Sequence, residues 1–381
     1  MKFYRIQAEL LGSLLVQENR RSNASRGLRY LPGGSFRGAV AGKFLREGGT
    51  PEAAVFRDVF LDNPVCFPDL LPLTTPGRIS QPLPATAYSC KRSPGFVREG
   101  GHGVSDVLAA LLAVDIERRP LTKAFVCKTC QEDMKPFEGF WNGDTEFPET
   151  FEPVMAYRRH TGIDRHTGTV ASSVFYITEG IAESLKDQEL QYQPQYLSGG
   201  AYLRDSQFET LSEWLQEPIF AGADKTRGMG EMAVTLEECN APDFDLEAWD
   251  NGFRKKTARL TGKEISSGLH FSVGLTGHAI SVDLFLRPLP DVELDFPGIT
   301  PITRVVQGHL VRGWQSSRQL PKSEDVAVRA GGVCLYRYTG DDAEGLGSYL
   351  RQTAAEGIGL RRSEGFGRIR ICDPIHVQEV T

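Results

Sequence analysis

The sequence predicts an α+β protein that contains two related domains. Apolar and polar residues alternate over residues 2–16 and again over 269–286, which predicts the first strand of each domain. Residues 223–232 and 360–369 also share one pattern, in which basic residues precede a Gly-apolar-Gly sequence and a strand-like apolar run. Two copies of this pattern, each late in its half of the chain, indicate that each domain closes with a glycine-rich loop.

The domain limits follow from where these patterns begin and end. The first domain is expected over 1–250 and the second over 265–381, with the basic stretch 254–263 between them. Within the first domain, residues from about 60 to 150 are irregular, rich in proline at their start, and contain cysteines. We expect this segment to form an insertion. Near the N-terminus, Ser35 is expected to cap a helix that begins at Phe36.

Composition limits the partners that the protein can bind. The chain has 381 residues, of which 40% are hydrophobic, so it can bury more than one core. Lys and Arg total 43 against 49 Asp and Glu, which gives a formal net charge of −6. A general polyanion binder is usually basic overall, so any contact with nucleic acid must come from local clusters of positive charge.

The sequence also indicates a compartment. It contains no apolar run of about 18 residues, so no membrane span is expected. The N-terminus lacks a small-residue cleavage site and is not expected to be a signal peptide. Seven cysteines are scattered along the chain with one CxxC, which favours a reducing cytoplasm and a metal site over a disulfide scaffold.

The two glycine-rich loops combine features that suit phosphate. Glycine lacks a Cβ, so its N–H can approach a phosphate closely while neighbouring cations supply charge. Neither loop continues into a GK[ST] sequence, so a nucleoside-triphosphate site is not expected. The alternative is a pair of ordinary hairpins with exposed arginines. The cations placed in the loops are Lys225, Arg227, Arg362 and Arg368.

A second basic cluster occupies residues 158–169, where three Arg and two His share a loop with two glycines ahead of a strand at 173–178. Arg, His and hydroxyl groups are typical donors to the phosphates and 2′-hydroxyls of RNA. A solvated polar hairpin is the alternative, and the two His lack the carboxylates of a typical metal site. The candidate residues are Arg158, Arg159, His160 and Arg165.

A third constellation, within the insertion, predicts a metal site. Cys127 and Cys130 form a CxxC knuckle, which supplies two thiolates for tetrahedral zinc and needs two further ligands. Cys90 and His102 lie upstream in the same segment and complete the set, with Cys66 as a substitute ligand. Zinc would stabilise a segment that has little regular structure. Unligated cysteines are the alternative.

Taken together, these motifs resemble the CRISPR-associated RAMP superfamily. The turn and helix at 31–39, the hairpin at 160–168 and the loops at 227–230 and 364–368 are similar to the family's motifs in that order. The resemblance covers almost the whole chain and implies two ferredoxin-like (RNA-recognition-type) domains. The insertion, with Ser89-Cys-Lys91, the CxxC and Gly139-Phe-Trp141, most resembles the large RAMP subunit of type III-D effectors.

The resemblance implies a structural subunit of an antiviral effector complex that caps the 5′ repeat-derived handle of the guide crRNA. Expected partners are the crRNA, the large polymerase-like subunit and the backbone RAMP subunits. Arg37 and Lys43 on the first helix would join the loops and hairpin in contacting RNA, and no catalytic residue is expected. One alternative is a backbone subunit that cleaves target RNA with a metal and Asp164. Another is a guide-processing endoribonuclease that uses a His as general base.

Overall fold

The computed structural model describes residues 1–17, 24–25, 27–117, 125–186, 189–265, 267–290, 292–315 and 320–378. The mixed α and β content predicted from the sequence is confirmed, since several small antiparallel sheets are combined with six helices in these residues. The helices are α1 (Gly33–Arg46), α2 (Ala54–Phe60), α3 (Leu108–Glu117), α4 (Asp205–Trp214), α5 (Leu246–Thr261) and α6 (Ala343–Glu356).

The strands form a long series in chain order. Those before α4 are β1 (Lys2–Leu10), β2 (Ala24–Ser25), β3 (Leu71–Leu73), β4 (Gln81–Pro82), β5 (Ala87–Cys90), β6 (Val104–Asp106), β7 (Met134–Pro136), β8 (Phe140–Trp141), β9 (Thr150–Phe151), β10 (Met155–Ile163), β11 (Val170–Ile181), β12 (Ser184–Lys186), β13 (Tyr192–Pro194) and β14 (Tyr196–Leu203). Those after α4 are β15 (Ile219–Phe220), β16 (Glu231–Glu238), β17 (Leu269–Leu275), β18 (Ile299–Val305), β19 (Gly308–Val311), β20 (Trp314–Gln315), β21 (Leu320–Pro321), β22 (Asp325–Val328), β23 (Val333–Tyr338) and β24 (Ile369–Ile371).

The chain divides into two compact units. Unit 1 contains residues 1–80, 152–240 and 311–325, and unit 2 contains the remainder. The cysteine-containing residues 81–151 therefore group with unit 2, although they interrupt unit 1 in sequence. The limits 1–250 and 265–381 stay a prediction. In the described parts of the chain, none of the helices combines the length and apolarity that crossing a bilayer requires.

Unit 1 is built on a five-stranded sheet with the order β15-β16-β1-β14-β3. Strand β1 pairs antiparallel with both β14 and β16, so it lies in the middle of the sheet. Its inward residues alternate along the strand, as the sequence pattern predicts, and include the buried Tyr4, Ile6 and Ala8. These side chains join a core with residues of α1, α2 and α4. A separate hairpin of β10 and β11 extends the unit.

Unit 2 contains a four-stranded sheet with the order β18-β23-β17-β24. Strand β17 pairs antiparallel with β23 and β24, and its core includes the fully buried Phe271 and Val273. Helices α5 and α6 contribute to the same core through Phe253, Leu346 and others, and α3 of the insertion joins them through Leu108 and Leu112. Helix α3 of the insertion therefore packs into the core of the four-stranded sheet.

The two main sheets share a strand order. If β1, β3, β14 and β16 are numbered one to four along the chain, the order in unit 1 is 4-1-3-2, with β15 added at the edge. Numbering β17, β18, β23 and β24 in the same way gives 4-1-3-2 in unit 2 as well. All pairs in both sheets are antiparallel. The halves that the sequence indicated as related therefore contain sheets of the same topology.

Helix α1 begins earlier than the sequence pattern indicates. It starts at Gly33, and Ser35 lies inside its first turn, so Ser35 does not cap it. Instead, the carboxylate of Asp69 accepts a hydrogen bond of 2.8 Å from the Gly33 N–H. This cap comes from a residue distant in sequence, which no local motif reveals. Desolvation raises the pKa of Asp69 to about 7, and the Gly33 hydrogen bond opposes this shift.

The raised pKa of Asp69 predicts a stability that depends on pH. Because the folded state holds the proton more tightly than the unfolded chain, the free energy of unfolding falls as pH rises from about 4 to about 7. Asp69→Asn keeps an acceptor for Gly33 and removes the charge, so it should raise stability at pH 8 by about 1–3 kcal/mol and change little at pH 4. Urea unfolding at both pH values measures this. Glu52→Gln, at an exposed position, is the control, and an equal gain in both variants would contradict the assignment.

Candidate functional site

The glycine-rich loop of unit 1 has a defined backbone path. Asp224 adopts a left-handed conformation with φ of 55°, a short 3-10 turn covers Lys225–Arg227, and Gly228 is left-handed again. The Gly230 N–H donates to the carbonyl of Ser13 (2.9 Å), and the Gly230 carbonyl accepts from the Ala221 N–H (2.9 Å). The loop is therefore fastened on both sides just before β16 begins.

The loop of unit 2 repeats this path residue for residue. Arg361 is left-handed with φ of 56°, and a 3-10 turn covers Arg362–Glu364 before β24 begins. The Gly367 N–H donates to the His278 carbonyl (2.7 Å), and the Gly367 carbonyl accepts from the Ile358 N–H (2.9 Å). The similarity that the sequence indicated thus extends to backbone angles and hydrogen bonds within each unit.

Glycine is required at one equivalent position of each loop. A Cβ built on Gly230 would lie 1.9 Å from the Ala221 carbonyl oxygen, and a Cβ on Gly367 would lie 1.8 Å from that of Ile358. Both residues also have positive φ, of 79° and 72°. A side chain at either position would push the loop away from the segment that holds it.

The side chains of the two loops carry different charges. In unit 1, the Arg227 guanidinium lies 3.5 Å from Asp224 and remains largely exposed. In unit 2, Arg361 and Glu364 occupy these positions with the signs exchanged, and their charged groups are 2.8 Å apart. A carboxylate therefore stands in the second loop where the first loop presents a guanidinium.

The remaining predicted cations of the second loop are held by protein groups. Arg362 donates to the Gly357 carbonyl (3.3 Å) and lies 3.7 Å from the Glu356 carboxylate. Arg368 is buried and donates to the Ala355 carbonyl (3.1 Å). Their positions in the sequence resemble those of the first loop, but the structure brings acceptors to them.

The hairpin of β10 and β11 meets the first loop. Arg227 donates to the Tyr176 hydroxyl (2.9 Å), and the Tyr176 ring stacks on that of His160 with centroids 4.5 Å apart. His160 is also hydrogen-bonded to Thr178 (3.0 Å). Arg158, on the same face, donates to the Ser13 hydroxyl (3.3 Å). We define the hairpin–loop surface as Arg46, Arg158, His160, Tyr176, Lys225 and Arg227.

Two cations of this surface, Lys225 and Arg46, influence each other electrostatically. Loss of hydration and the nearby charge of Arg46 lower the pKa of Lys225. No carboxylate within the described part of the chain pairs with either side chain. Two neighbouring cations that lack an acidic partner repel each other, and an anion between them would relieve this repulsion. Arg46 and Tyr176 were not predicted as site residues, because only the folded chain places them beside the glycine loop.

The other predicted cations have separate environments. Arg37 lies over the Phe60 ring (5.4 Å) and donates to the Phe60 carbonyl. Lys43 is buried and donates to the Glu217 carbonyl (2.9 Å). Arg159, on the opposite face of the hairpin from His160, and Arg165, at its tip, are exposed. Arg20, Arg21 and Arg26 lie outside the described residues.

The structure brings the four predicted metal ligands together in unit 2. The ligand atoms of Cys90, His102, Cys127 and Cys130 all lie within 4.8 Å of one another. The Cys90 and Cys130 sulfurs are 3.4 Å apart, and the Cys127 sulfur is 3.7 Å from Nδ1 of His102. Sulfur ligands around a tetrahedral zinc ion are separated by about 3.8 Å, so the cluster has the size that zinc requires.

Short secondary structure positions these ligands. Cys90 ends β5, which pairs with β7 just after the Cys127–Cys130 turn. Within that turn, the Gln131 N–H donates to the Cys127 carbonyl (3.0 Å). Burial opposes ionisation of Cys127, but the N–H groups of Cys130 and Thr129 and the neighbouring thiols outweigh it and lower its pKa to about 6. Cys66 belongs to unit 1 and is not part of this cluster.

No family model matches the chain, and no curated protein matches it. Among solved structures, it is similar to a chain of the type III-B Cmr-beta complex bound to cognate target RNA and AMPPnP, with a TM-score of 0.43, 14% identity, and coverage of 91% of this chain and 93% of that chain. For oligomeric Cmr4 from Pyrococcus furiosus, the TM-score is 0.25 and the identity 13%, with coverage of 63% of this chain and 100% of that chain. For a CRISPR protein from Archaeoglobus fulgidus, the TM-score is 0.27 and the identity 9%, with coverage of 90% of this chain and 94% of that chain.

The close approach at Gly230 can be tested by substitution. Gly230→Ala should lower the free energy of unfolding by about 2–4 kcal/mol, because the new Cβ meets the Ala221 carbonyl. The control is Gly48→Ala, since Gly48 also has positive φ but no heavy atom lies within 4 Å of a Cβ there. Its cost should be limited to about 1–2 kcal/mol. Equal losses in chemical denaturation would mean that only the backbone angle matters.

Proposed function

We propose that the protein is a non-catalytic, guide-RNA-binding subunit of a cytoplasmic type III CRISPR effector complex. The order of the sequence motifs and their resemblance to the RAMP superfamily support this assignment. The type III-D pattern of the insertion leads us to propose further that the subunit caps the 5′ repeat-derived handle of the crRNA. Its protein partners would then be the large polymerase-like subunit and the backbone RAMP subunits.

The observation that carries the proposal is the contact between the first glycine loop and the hairpin. Arg227 reaches Tyr176, which stacks on His160, so two segments far apart in sequence form one cationic and aromatic surface. Guanidinium and ammonium groups bind phosphate, and aromatic rings stack with unpaired bases. The hairpin–loop surface therefore suits a single-stranded handle, and Arg159 and Arg165 would extend the contact along the hairpin.

The net charge of −6 is compatible with this function because RNA would meet a local surface. In the second loop, Glu364 replaces the exposed arginine, and Arg362 and Arg368 are held by protein acceptors. We therefore place the RNA contact on unit 1. An acidic remainder of the chain would disfavour non-specific RNA binding.

We assign no chemistry to the protein. Asp164, the candidate ligand of a catalytic metal, accepts backbone hydrogen bonds from His166 (2.7 Å) and Thr167 (3.2 Å) and so shapes the hairpin tip. Handle capping needs shape and charge complementarity alone, so a catalytic group is not required.

We also propose that both units are ferredoxin-like domains. The 4-1-3-2 antiparallel order supports this for each sheet, and α1 and α4 supply the two crossovers in unit 1. In unit 2, α6 supplies the second crossover, while the described residues between β17 and β18 contain a hairpin instead of a helix. Each glycine loop would then precede the fourth strand of its domain.

The Cys–His cluster is proposed as a structural zinc site. Three thiolates and one imidazole form a donor set that binds zinc tightly and leaves no open position for chemistry. The ligands come from the end of β5, the segment before β6 and the turn before β7. Zinc would cross-link three short segments, which compensates for the few residues that each strand contributes.

The RNA surface predicts a contrast between equivalent positions of the two loops. Lys225→Ala and Arg227→Ala should each weaken binding of a synthetic crRNA handle by roughly three- to tenfold and reduce the salt dependence by about 0.7 ions, because each removes one phosphate contact. The matched control is Arg362→Ala, at the position equivalent to Lys225, which should bind as the parent does. Fluorescence anisotropy across a salt series provides the measurement.

Two results would change this assignment. Unchanged affinity and slope in both unit 1 variants, with circular dichroism showing them folded, would remove the first loop from the RNA surface. A loss in Arg362→Ala equal to that in Lys225→Ala would extend the RNA contact to the second loop, as the sequence alone suggested.

The zinc proposal predicts one zinc ion per chain in protein purified without added metal. Cys127→Ser should lose the zinc and lower the melting temperature by several degrees, since the knuckle supplies half of the ligands. Cys239→Ser changes a cysteine outside the cluster and should keep both properties. Elemental analysis and thermal unfolding are the measurements. A zinc ratio near zero in the unsubstituted protein would contradict the site.

A further inference from the structure

A short hairpin of unit 2 exposes three consecutive apolar side chains. The exposed fractions of Leu284, Phe285 and Leu286 are 99%, 78% and 75%. Burying a side chain of this size stabilises the folded state, so leaving three in water forgoes a large stabilisation. Apolar residues exposed together commonly mark an interaction site. We call residues 284–286 the apolar tip.

The tip is a closed turn with its own hydrogen bonds. The Asp283 carboxylate accepts from the N–H groups of Phe285 (2.8 Å) and Arg287 (2.9 Å) and from the Arg287 guanidinium (2.6 Å). The Leu286 N–H donates to the Asp283 carbonyl (2.9 Å), and Leu286 itself has a positive φ of 60°. The backbone therefore presents the three side chains in one fixed arrangement.

The stem of this hairpin is anchored in the core of unit 2. Ala279 and Ile280, directly before it, are buried, and the Ala279 N–H donates to the Val328 carbonyl (2.9 Å). The Ile280 carbonyl accepts from the N–H of Leu360, which leads into the second glycine loop (2.9 Å). The tip thus stands on the same framework as that loop.

Unit 1 contains an equivalent stem with different chemistry at its end. Bridges join Gln17 to Gly27 in unit 1 and Val282 to Pro288 in unit 2. Each bridge lies two residues after a carbonyl, of Leu15 or Ile280, that accepts from an N–H just ahead of the glycine loop of its unit. The intervening residues 18–26 lie mostly outside the described part, but their sequence contains three Arg and one Glu. Unit 2 has Leu-Phe-Leu between Asp283 and Arg287 in the same place.

We propose that the apolar tip inserts into a concave, apolar pocket on another protein subunit of the effector complex. This inference rests on the proposed function, because it takes the partner from that complex. The one cation of the tip's turn, Arg287, is paired with Asp283, and Glu364 stands in the second glycine loop where unit 1 has Arg227, so a protein fits better than a polyanion. Unit 1 would contact the guide while the tip of unit 2 contacts a neighbouring subunit.

The shape and area of the tip argue against other occupants. Three such side chains present on the order of 450 Å² of apolar surface, whereas a stable interface buries about 800 Å² on each partner. The tip is therefore an anchor within a larger contact. Two convex tips cannot enclose one another, which disfavours a second copy of this chain. An anionic membrane is disfavoured because Arg287, the only cation in the turn, is paired with Asp283.

The test compares Phe285→Ser with a matched control. Leu190→Ser changes another leucine that is exposed (74%) and has positive φ, but it lies in unit 1 between β12 and β13. Each variant is co-expressed with the polymerase-like and backbone subunits that the proposed function assigns as its partners, and native mass spectrometry measures its share of the assembled complex. Binding of the crRNA handle by the isolated subunit is measured in parallel.

We expect Phe285→Ser to enter the complex at least about tenfold more weakly, the loss typical of one apolar anchor, while handle binding and melting temperature stay unchanged. Leu190→Ser should assemble as the parent does. Equal assembly of the two variants would overturn the tip proposal and leave the proposed function intact, whereas failure of the parent to bind the handle or assemble would overturn the proposed function. If the parent sediments in a concentration-dependent way and Phe285→Ser does not, the partner of the tip is a second copy of this chain. If the parent binds phosphatidylglycerol vesicles and Phe285→Ser does not, the partner is a membrane.

Discussion

The close backbone approach at Gly230 and Gly367 is the constraint on which the functional surfaces depend. In each unit, this glycine uses its N–H and carbonyl to join a segment after the first strand to the segment before the fourth. A carbonyl oxygen occupies the space where a Cβ would be, so no other residue allows the same path. Arg227 reaches Tyr176 from the loop held in this way. The Val282–Pro288 bridge below the apolar tip lies two residues after Ile280, whose carbonyl accepts from Leu360 ahead of the other loop.

Because glycine and backbone groups fix this framework, its side chains can change without altering the path. The two loops show this directly, since Asp224 and Arg227 in one correspond to Arg361 and Glu364 in the other. Between the bridged residues that follow, the sequence contains three Arg in unit 1 and Leu-Phe-Leu in unit 2. A duplicated framework can therefore bind RNA through one copy and protein through the other, which is the division of roles that we propose.

The parts of the structure that local sequence determines could be predicted. Alternating residues located β1 and β17, two glycine patterns located equivalent loops, and cysteine chemistry selected four ligands that meet in space. Long-range partners could not be predicted in this way. Asp69 caps α1 across 36 positions of sequence, and Lys43 donates to Glu217 across 174, so neither contact leaves a local signal. The alternating pattern predicted a strand up to residue 286, whereas β17 ends at Leu275. The pattern continues past β17 because the hairpin stem that follows alternates as a strand does.

The second glycine loop places its predicted cations in surroundings that differ from those of the first loop. Arg362 and Arg368 satisfy the same local rule as Lys225 and Arg227, since all four are cations beside glycines. The groups around these cations differ, since Arg368 is buried against the Ala355 carbonyl, whereas Arg227 contacts Tyr176 of the hairpin. Lys225 is a different case, because the like charge of Arg46 acts on it and no carboxylate of the described residues pairs with either side chain. This arrangement of charge, more than the number of cations, is the reason that we propose unit 1 as the part that binds a phosphate backbone.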